Sequence, residues 1–311
     1  MKNNTVVTAG DKNYFWGILM MIASMRKSGM DEPVIVGAKG FTPWQLQVLA
    51  KVPDVTVHQI DDITRSLTCI KPEIMLLVQT DCVSWVDSDA FFTGNCSARL
   101  APLTPNEIHI RKRSREENPM AFKNFSYGED GHTIPQAILE VWKKDVPNAL
   151  DEPRNQQSCS ACYISVHRNA RPFLQAWQDQ MAKILPANNT GVVDRSLKYY
   201  HQLDESVLNS LLCFSPLAYP VAASYRLDKD PSELFVHFIG VPKPWQGWTP
   251  RTMRWFREYT ACADYAVTQG WLSKNELPKQ LDSSRYGICR LLAPYVNLKT
   301  KLRNRLRRIF K

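Results

Sequence analysis

Thr5-Val-Val-Thr-Ala9-Gly10-Asp11-Lys12-Asn13-Tyr14 is the stretch that decides the fold. Its first five residues are β-branched or small and uncharged, the composition of a buried strand. Gly10-Asp11-Lys12-Asn13 is turn chemistry. From Tyr14 to Lys27 the chain is apolar and long enough for a helix, and Gly29 stops it. Working outward, a second strand is expected over Val34 to Gly37 and a helix over Thr42 to Lys51, with Pro43 in its first turn. A third strand covers Val55 to Ile60, and a short buried one, Val83-Ser-Trp-Val86, ends in Asp87-Ser88-Asp89. Strands alternating with helices imply βαβ units: an α/β fold with a Rossmann-like, mostly parallel sheet flanked by helices.

The middle of the chain changes character. Arg111 to Gly131 is polar and reads as a long loop, a kind of segment that is usually functional. Thr133, with Gln136 three residues on, predicts a capped helix whose buried face is Ile134, Ile138, Val141 and Trp142. Cys159 to Val166 reads as a strand. Leu174, Trp177, Met181 and Ile184 recur at helical spacing, and Asp204 to Leu212 reads as a short helix. Phe235-Val-His-Phe-Ile239 reads as a strand leading into Gly240. The sequence contains no internal repeat and no low-complexity linker.

Composition narrows the function classes. The chain has 311 residues, 44% hydrophobic and 22% charged, which excludes disordered, collagenous and fibrous proteins. A chain this long buries a core without disulfide staples. Lys299, Lys301, Arg303, Arg305, Arg307, Arg308 and Lys311 crowd the end, with no acid among them. Removing those seven charges from the net +9 leaves +2, so the body is nearly neutral and no nucleic-acid partner is expected. Eight cysteines are scattered through apolar segments and nothing before Thr5 reads as a signal peptide, so reduced, cytoplasmic thiols are expected. Cys159-Ser-Ala-Cys162 has no second pair at zinc spacing. Residues three apart on a strand face opposite ways, so these two read as core. The longest apolar stretch, Phe15 to Met25, is shorter than the ~20 residues of a membrane span.

Three stretches carry chemistry. Asp87 and Asp89 follow a buried strand, where ligands bind in a doubly wound sheet, and their apolar flanks suggest a partly buried pair that needs a partner. Hard oxygen ligands suit Mg²⁺ or Mn²⁺ together with substrate phosphates, although Asp-Ser-Asp is also an ordinary turn. In His237-Phe-Ile-Gly240-Val-Pro-Lys243-Pro-Trp245, the histidine suits a metal, Gly240 admits close backbone approach and Lys243 suits phosphate. The bland alternative is a core histidine before a Pro-rich turn. Asp204 opens the helical segment Asp204-Glu-Ser-Val-Leu-Asn209, either as an N-cap or as a carboxylate aimed into a cleft.

Together with the N-terminus, these stretches resemble glycosyltransferase family 8, retaining and metal-dependent transferases of the GT-A fold that include bacterial lipopolysaccharide galactosyl- and glucosyltransferases. Val7 to Tyr14 resembles the family's nucleotide-binding first loop, Asp87-Ser88-Asp89 its DxD motif, and Asp204 to Asn209 its Asp-Gln-x-x-Leu-Asn segment. His237 to Trp245 matches its His-Phe-x-Gly-x-x-Lys-Pro-Trp motif at every fixed position. The resemblance implies that Asp87, Asp89 and His237 bind Mn²⁺ (or Mg²⁺), and that Ser88, Gly240 and Lys243 line the diphosphate of a UDP-sugar. It implies that Thr8, Ala9, Asp11 and Tyr14 hold uridine, that Lys71 lies over donor sugar and phosphate, and that Asp204 or Glu205 serves the reacting sugar. Two departures touch the sugar pocket: Cys159-Ser160-Ala161 stands where the family has Asn-Ser-Gly, and Glu205 stands where it has Gln.

The expectation is therefore a retaining hexosyltransferase using a UDP-hexose, with a catalytic domain over residues 1–250. That domain would comprise a nucleotide-binding half, 1–95, and an acceptor-side half, 96–250, followed by a helical extension over 251–297. Arg111-Lys-Arg-Ser-Arg115, with Trp245 and Trp248, would meet an anionic glycan acceptor. Residues 298–311 form a basic amphipathic helix, with Leu298, Leu302, Leu306, Ile309 and Phe310 on one stripe and Pro294 as a break upstream. Such a helix suits an anionic membrane surface and a lipid-linked glycan on the inner face of the cell membrane. Two other classes share part of the pattern: a nucleotide-sugar-binding protein with weak catalysis, and a metal-dependent nucleotidyl- or phosphotransferase. The latter has no use for the His237 to Trp245 motif, and the chain has no Gly-x-x-x-x-Gly-Lys loop.

Overall fold

The computed structural model describes residues 3–61, 66–113, 122, 133–186, 194, 196–222 and 235–309. The opening unit forms as expected. β1 (Asn4–Asp11) turns into α1 (Phe15–Lys27), and the Asp11 carboxylate closes the turn by accepting from the backbone N–H of Asn13 at 2.8 Å and of Tyr14 at 3.2 Å. β2 (Val34–Lys39), α2 (Pro43–Ala50) and β3 (Val55–Ile60) follow. Thr42 and Gln45 exchange side-chain and backbone hydrogen bonds in a capping box at the start of α2. Then come α3 (Lys71–Leu76), β4 (Cys82–Val86), β5 (Ala90–Phe91), α4 (Ser97–Leu100), β6 (Ile108–Lys112) and α5 (Gln136–Asp145). The chain continues through β7 (Cys159–His167), α6 (Arg171–Ile184), α7 (Asp204–Phe214), β8 (Val236–His237), α8 (Phe256–Thr268) and α9 (Tyr286–Ile309).

Among the described residues the main sheet has six strands in the order β3-β2-β1-β4-β7-β6. β1 to β4 pair in parallel, and β7 runs antiparallel to both its neighbours. Chain order reverses between β1 and β4, the switch point at whose carboxyl ends a doubly wound sheet forms its ligand crevice. Two apolar cores lie on opposite faces of the sheet. Val6 and Val7 fall in different cores, and so do Cys162 and Cys159, as the two-residue period of a strand requires. All eight cysteines are free and seven are buried. α1 is buried at ten of its thirteen positions because it packs between the sheet and α8, which shares its core. Among the described residues, no helix is long and apolar enough to cross a membrane.

Five local expectations are corrected. Thr133 does not cap α5; Pro135, with its fixed φ, takes the N-cap position, and Thr133 bridges Gln157 in an isolated β-pair. The buried face of α5 is Ile138, Leu139 and Trp142, with Val141 half-buried. The strand expected over Phe235 to Ile239 shrinks to β8: the Phe238 N–H still meets the Asp89 carbonyl in register at 2.9 Å, but the Ile239 N–H turns back to the His237 carbonyl at 3.0 Å. The loop expected from Arg111 begins later: Arg111 and Lys112 complete β6, and beyond them only Arg113 and Phe122 fall within the described residues. Pro294 lies inside α9 instead of breaking it. Its lost hydrogen bond frees the carbonyl four residues back, at exposed Arg290, where water can donate to it.

Candidate active site

The crevice between β1 and β4 gathers the chemistry-bearing side chains. Asp87 sits directly after β4, and its backbone N–H donates to the Cys162 carbonyl of β7 at 2.9 Å. β5 and β8 form a two-stranded antiparallel ribbon that pairs Ala90 with His237. That ribbon carries His237 across to the two aspartates. The His237 Nε2 lies 2.9 Å from the Asp89 Oδ1 and 3.8 Å from the Asp87 Oδ2. One donor atom from each of Asp87, Asp89 and His237 lies within 4.8 Å of the others. Two hard oxygens and an imidazole at that spacing fit a divalent cation such as Mn²⁺ or Mg²⁺.

Two buried lysines face the acidic pair. The Lys243 Nζ donates to the Asp89 Oδ2 and, at 2.7 Å, to the Phe238 carbonyl. The Lys71 Nζ lies 3.2 Å from the Asp87 Oδ1 and 3.1 Å from the Asp204 Oδ2, and donates to the Ala161 carbonyl at 2.9 Å. Burial alone would push the Asp89 carboxyl up, but His237 and Lys243 hold it well below the usual carboxylate range. Burial alone would lower His237, but Asp89 raises it well above its ordinary value. For Lys71, too, burial would lower the ammonium, and Asp204 and Asp87 outweigh it and raise it. Burial lifts Asp204 to about 6, with Lys71 opposing and Glu205 and Asp87 assisting. The partner that a buried acidic pair requires is thus supplied inside the chain by two lysines and a histidine.

α7 delivers Asp204 and Glu205 differently. Leu203, just before the helix, has φ of +53°, a conformation that costs a branched residue about 1–2 kcal/mol. Asp204 is the first helical residue and not the N-cap, which is Leu203, and it is buried against Lys71. Both oxygens of Glu205 are engaged: Oε1 accepts from the Arg113 guanidinium and Oε2 from the Ala161 N–H at 2.9 Å. Arg113 thereby holds Glu205 below its ordinary value against the effect of burial.

The remaining expected residues surround this cluster. Thr8 is fully buried, its Oγ1 has no hydrogen-bond partner among the described residues, and Ala9 follows it on β1. Tyr14 stands over the site: burial, then Asp89, Asp11 and Asp87, push its phenol up to about 12, and the Lys243 Nζ lies 6.0 Å from its ring centroid. Ser88 is buried with its carbonyl against Gly17 of α1, where an added Cβ would sit 2.2 Å away. Gly240 is exposed at φ +84°, a position suited to glycine, and an added Cβ would meet nothing within 4 Å.

The acceptor expectation for Arg111 to Arg115 with Trp245 and Trp248 is not met among the described residues. Arg111 is 2% exposed inside β6, and Ser114 and Arg115 lie outside the described residues. Trp245 and Trp248 are core side chains, 5% and 2% exposed, with no face open to a sugar. Trp245 fills the space that Gly17 leaves and donates its indole N–H to the Asn13 carbonyl at 2.9 Å. Sequence reasoning missed the engagement of Glu205 by Arg113, and a contact of Trp85 with Asp87 at 2.8 Å.

No protein-family model and no curated protein sequence matches the chain. Solved structures do. A galactosyltransferase, LgtC, in complex with donor and acceptor sugar analogs, aligns over 87% of this chain and 98% of its own, with a TM-score of 0.53 at 12% identity. The apo form of the glycosyltransferase GlyE of Streptococcus pneumoniae TIGR4 aligns over 88% of this chain and 64% of its own, with a TM-score of 0.53 at 17% identity. The bifunctional glycosyltransferase WbbM covers 92% of this chain with a TM-score of 0.52 at 17% identity, and this chain spans about half of WbbM's length, 52%. At these identities the likeness is one of fold: the chain has the mixed α/β, GT-A architecture of these glycosyltransferases.

Proposed function

We propose that the chain is a retaining glycosyltransferase that moves a hexose from a UDP-sugar to a saccharide acceptor, with a divalent cation, Mn²⁺ or Mg²⁺, at Asp87, Asp89 and His237. The observation that carries this reading is the convergence of those three donors within 4.8 Å, at the carboxyl end of β4, beside two buried lysines. A cation bound there would take up charge developing on the leaving diphosphate. Lys243 and the open backbone at Gly240 lie where they would meet the phosphates, with Ser88 behind them. Thr8, Ala9, Asp11 and Tyr14, along the end of β1, would hold the nucleoside; the unpartnered Thr8 hydroxyl is an available hydrogen-bonding group there. Lys71 would steady the donor between Asp87 and Asp204. Asp204 is the carboxylate left to face the reacting sugar, since both oxygens of Glu205 are already bonded and serve to hold α7 on β7.

The acceptor reading is a bacterial cell-surface glycan, such as lipopolysaccharide, or a lipid-linked glycan at the inner face of the cell membrane. α9 supports the membrane part. Ile288, Leu291, Leu292, Tyr295, Leu298, Leu302 and Leu306 are all exposed, and at 100° per residue they fall within an arc of about 120°. Lys299, Lys301, Arg303 and Arg305 are exposed on the same helix.

The test is a panel of UDP-sugars with Mn²⁺ and no acceptor, scoring slow release of UDP. One UDP-hexose should be hydrolysed, and EDTA should stop it. Binding of UDP without hydrolysis or transfer of any sugar would favour the reading as a weakly catalytic nucleotide-sugar-binding protein.

A further inference from the structure

Trp85 lies two residues before Asp87, on the same face of the chain as it leaves β4. Its indole is 2% exposed, and its Nε1–H donates to the Asp87 Oδ1 at 2.8 Å. A buried indole needs an acceptor, and a backbone carbonyl usually suffices. Trp142, Trp177, Trp245 and Trp248 each donate to such a carbonyl. Trp85 instead donates to a carboxylate of the proposed metal-binding triad. The face of the same ring carries Lys71, whose Nζ lies 5.4 Å from the centroid and 3.2 Å from the same Asp87 Oδ1. Asp87 Oδ1 is thus held from two sides, and its Oδ2 is the oxygen turned toward His237.

We propose that Trp85 is a positioning residue for the metal site, fixing through its indole N–H which oxygen of Asp87 is presented beside Asp89 and His237. The argument rests on the metal-site reading above. A carboxylate torsion is broad and nearly two-fold, so an Asp87 held by Lys71 alone would sample orientations that the indole edge excludes. Partners behind a metal ligand commonly change affinity by about 10- to 100-fold. The ring also links two parts of the crevice. Its edge holds Asp87, and its face bears the lysine that bonds Asp204, so the triad and the donor-side carboxylate share one rigid support.

The experiment measures Mn²⁺ binding to the full chain by electron paramagnetic resonance of the free ion, with no nucleotide present. Trp85→Phe keeps a ring in the core and removes the donor. It should weaken Mn²⁺ binding about 10- to 100-fold, leaving the melting temperature of the metal-free chain much less affected. In an Asp87→Asn background the same substitution should cost far less. Equal affinity for Trp85→Phe and the native chain, or an equal loss in the Asp87→Asn background, would overturn the proposal. A native chain that binds no Mn²⁺ would instead overturn the metal-site reading on which it rests. Should Trp85→Phe fail to fold, hydrogen exchange of the indole N–H groups in Asp87→Ala decides. One slow indole proton should lose protection by at least about tenfold, and no change in any of them would refute the contact.

Discussion

The crevice and the C-terminal helix solve opposite problems. In the crevice, Lys71, Asp89, Asp204 and Lys243 are each less than a tenth exposed, and each touches a group of opposite charge. Along α9 the pattern is inverted: seven large apolar side chains are exposed, Leu291 at 80%, and the bases beside them stand in solvent. Only part of α9 docks, through Tyr286 against Phe256, buried Ala293, and Val296 against Gly247. Buried charges held in fixed pairs are pre-arranged for charge developing in a transition state. A helix with its apolar stripe outward suits the membrane contact proposed for it. Changes in the crevice should therefore cost chemistry, and changes in α9 should cost location only.

The largest effect tests the first half of that contrast. Asp87→Ala and Asp89→Ala should each abolish UDP-sugar turnover. Asp87 leaves Lys71 still paired with Asp204, so its loss is tolerable to the fold. Asp89→Ala leaves His237 and Lys243 without their shared carboxylate and should also lower the melting temperature. Donor hydrolysis and thermal melting, measured on both variants, separate the two roles. Near-normal hydrolysis in EDTA-treated protein would break the comparison, because the crevice would then be a structural charge cluster.

A smaller loss is expected at Lys243. Lys243→Ala should lower transfer about 10²-fold, the scale of one charge-stabilising donor. Lys243→Arg should not restore it, because the ammonium is 4% exposed and bonded to both Asp89 and the Phe238 carbonyl, a slot without room for a planar fork. Unchanged kcat/KM in Lys243→Ala would reduce the residue to an internal counter-ion of Asp89.

Much of this arrangement was legible before any coordinates. The opening β1–α1 turn, the Asp87-Ser88-Asp89 turn and the His237 motif are local signals, each carried by adjacent residues of fixed type. The contacts that organise the site are not local. Lys71 reaches Asp204, Trp85 turns its edge to Asp87, and Arg113 engages Glu205, pairs that no period or spacing encodes. Lys71 is marked in the sequence only by the family resemblance; locally it shares an apolar run with one other charge, Glu73. Trp245 and Trp248 were misjudged because a Pro-rich stretch reads as surface. The small residue that makes room for Trp245 is Gly17, far away in α1. Pro294 misled for the opposite reason: an exposed helix tolerates a proline that a buried one would not.

The smallest effect on chemistry, and the sharpest test of the contrast, concerns α9. The sequence placed its apolar stripe from Leu298 onward, and the structure carries the exposed stripe back to Ile288, through Leu291, Leu292 and Tyr295. A surface helix of a globular domain turns such a stripe inward. Here the inward contacts are made by Tyr286, Ala293 and Val296, on a different face, and the stripe is exposed among the described residues. On the proposed membrane reading, the exposed Lys299, Lys301, Arg303 and Arg305 would each contribute ~1 kcal/mol near an anionic bilayer. Deleting Leu298 to Lys311 removes these four bases together with Arg307, Arg308 and Lys311, and also Leu298, Leu302 and Leu306, and should release the protein from anionic vesicles. Leu291→Ser with Leu298→Ser and Leu302→Ser should weaken binding while keeping every charge, and moderate salt should weaken it further by screening. Donor hydrolysis should be unchanged in both proteins, because Leu291, Leu298 and Leu302 are exposed on α9 while the site residues lie at the ends of β1, β4 and β8. If the truncated chain still sediments with anionic vesicles as the intact chain does, the tail is not the anchor. If hydrolysis falls along with vesicle binding, the two regions are coupled and the division of labour drawn between them is wrong.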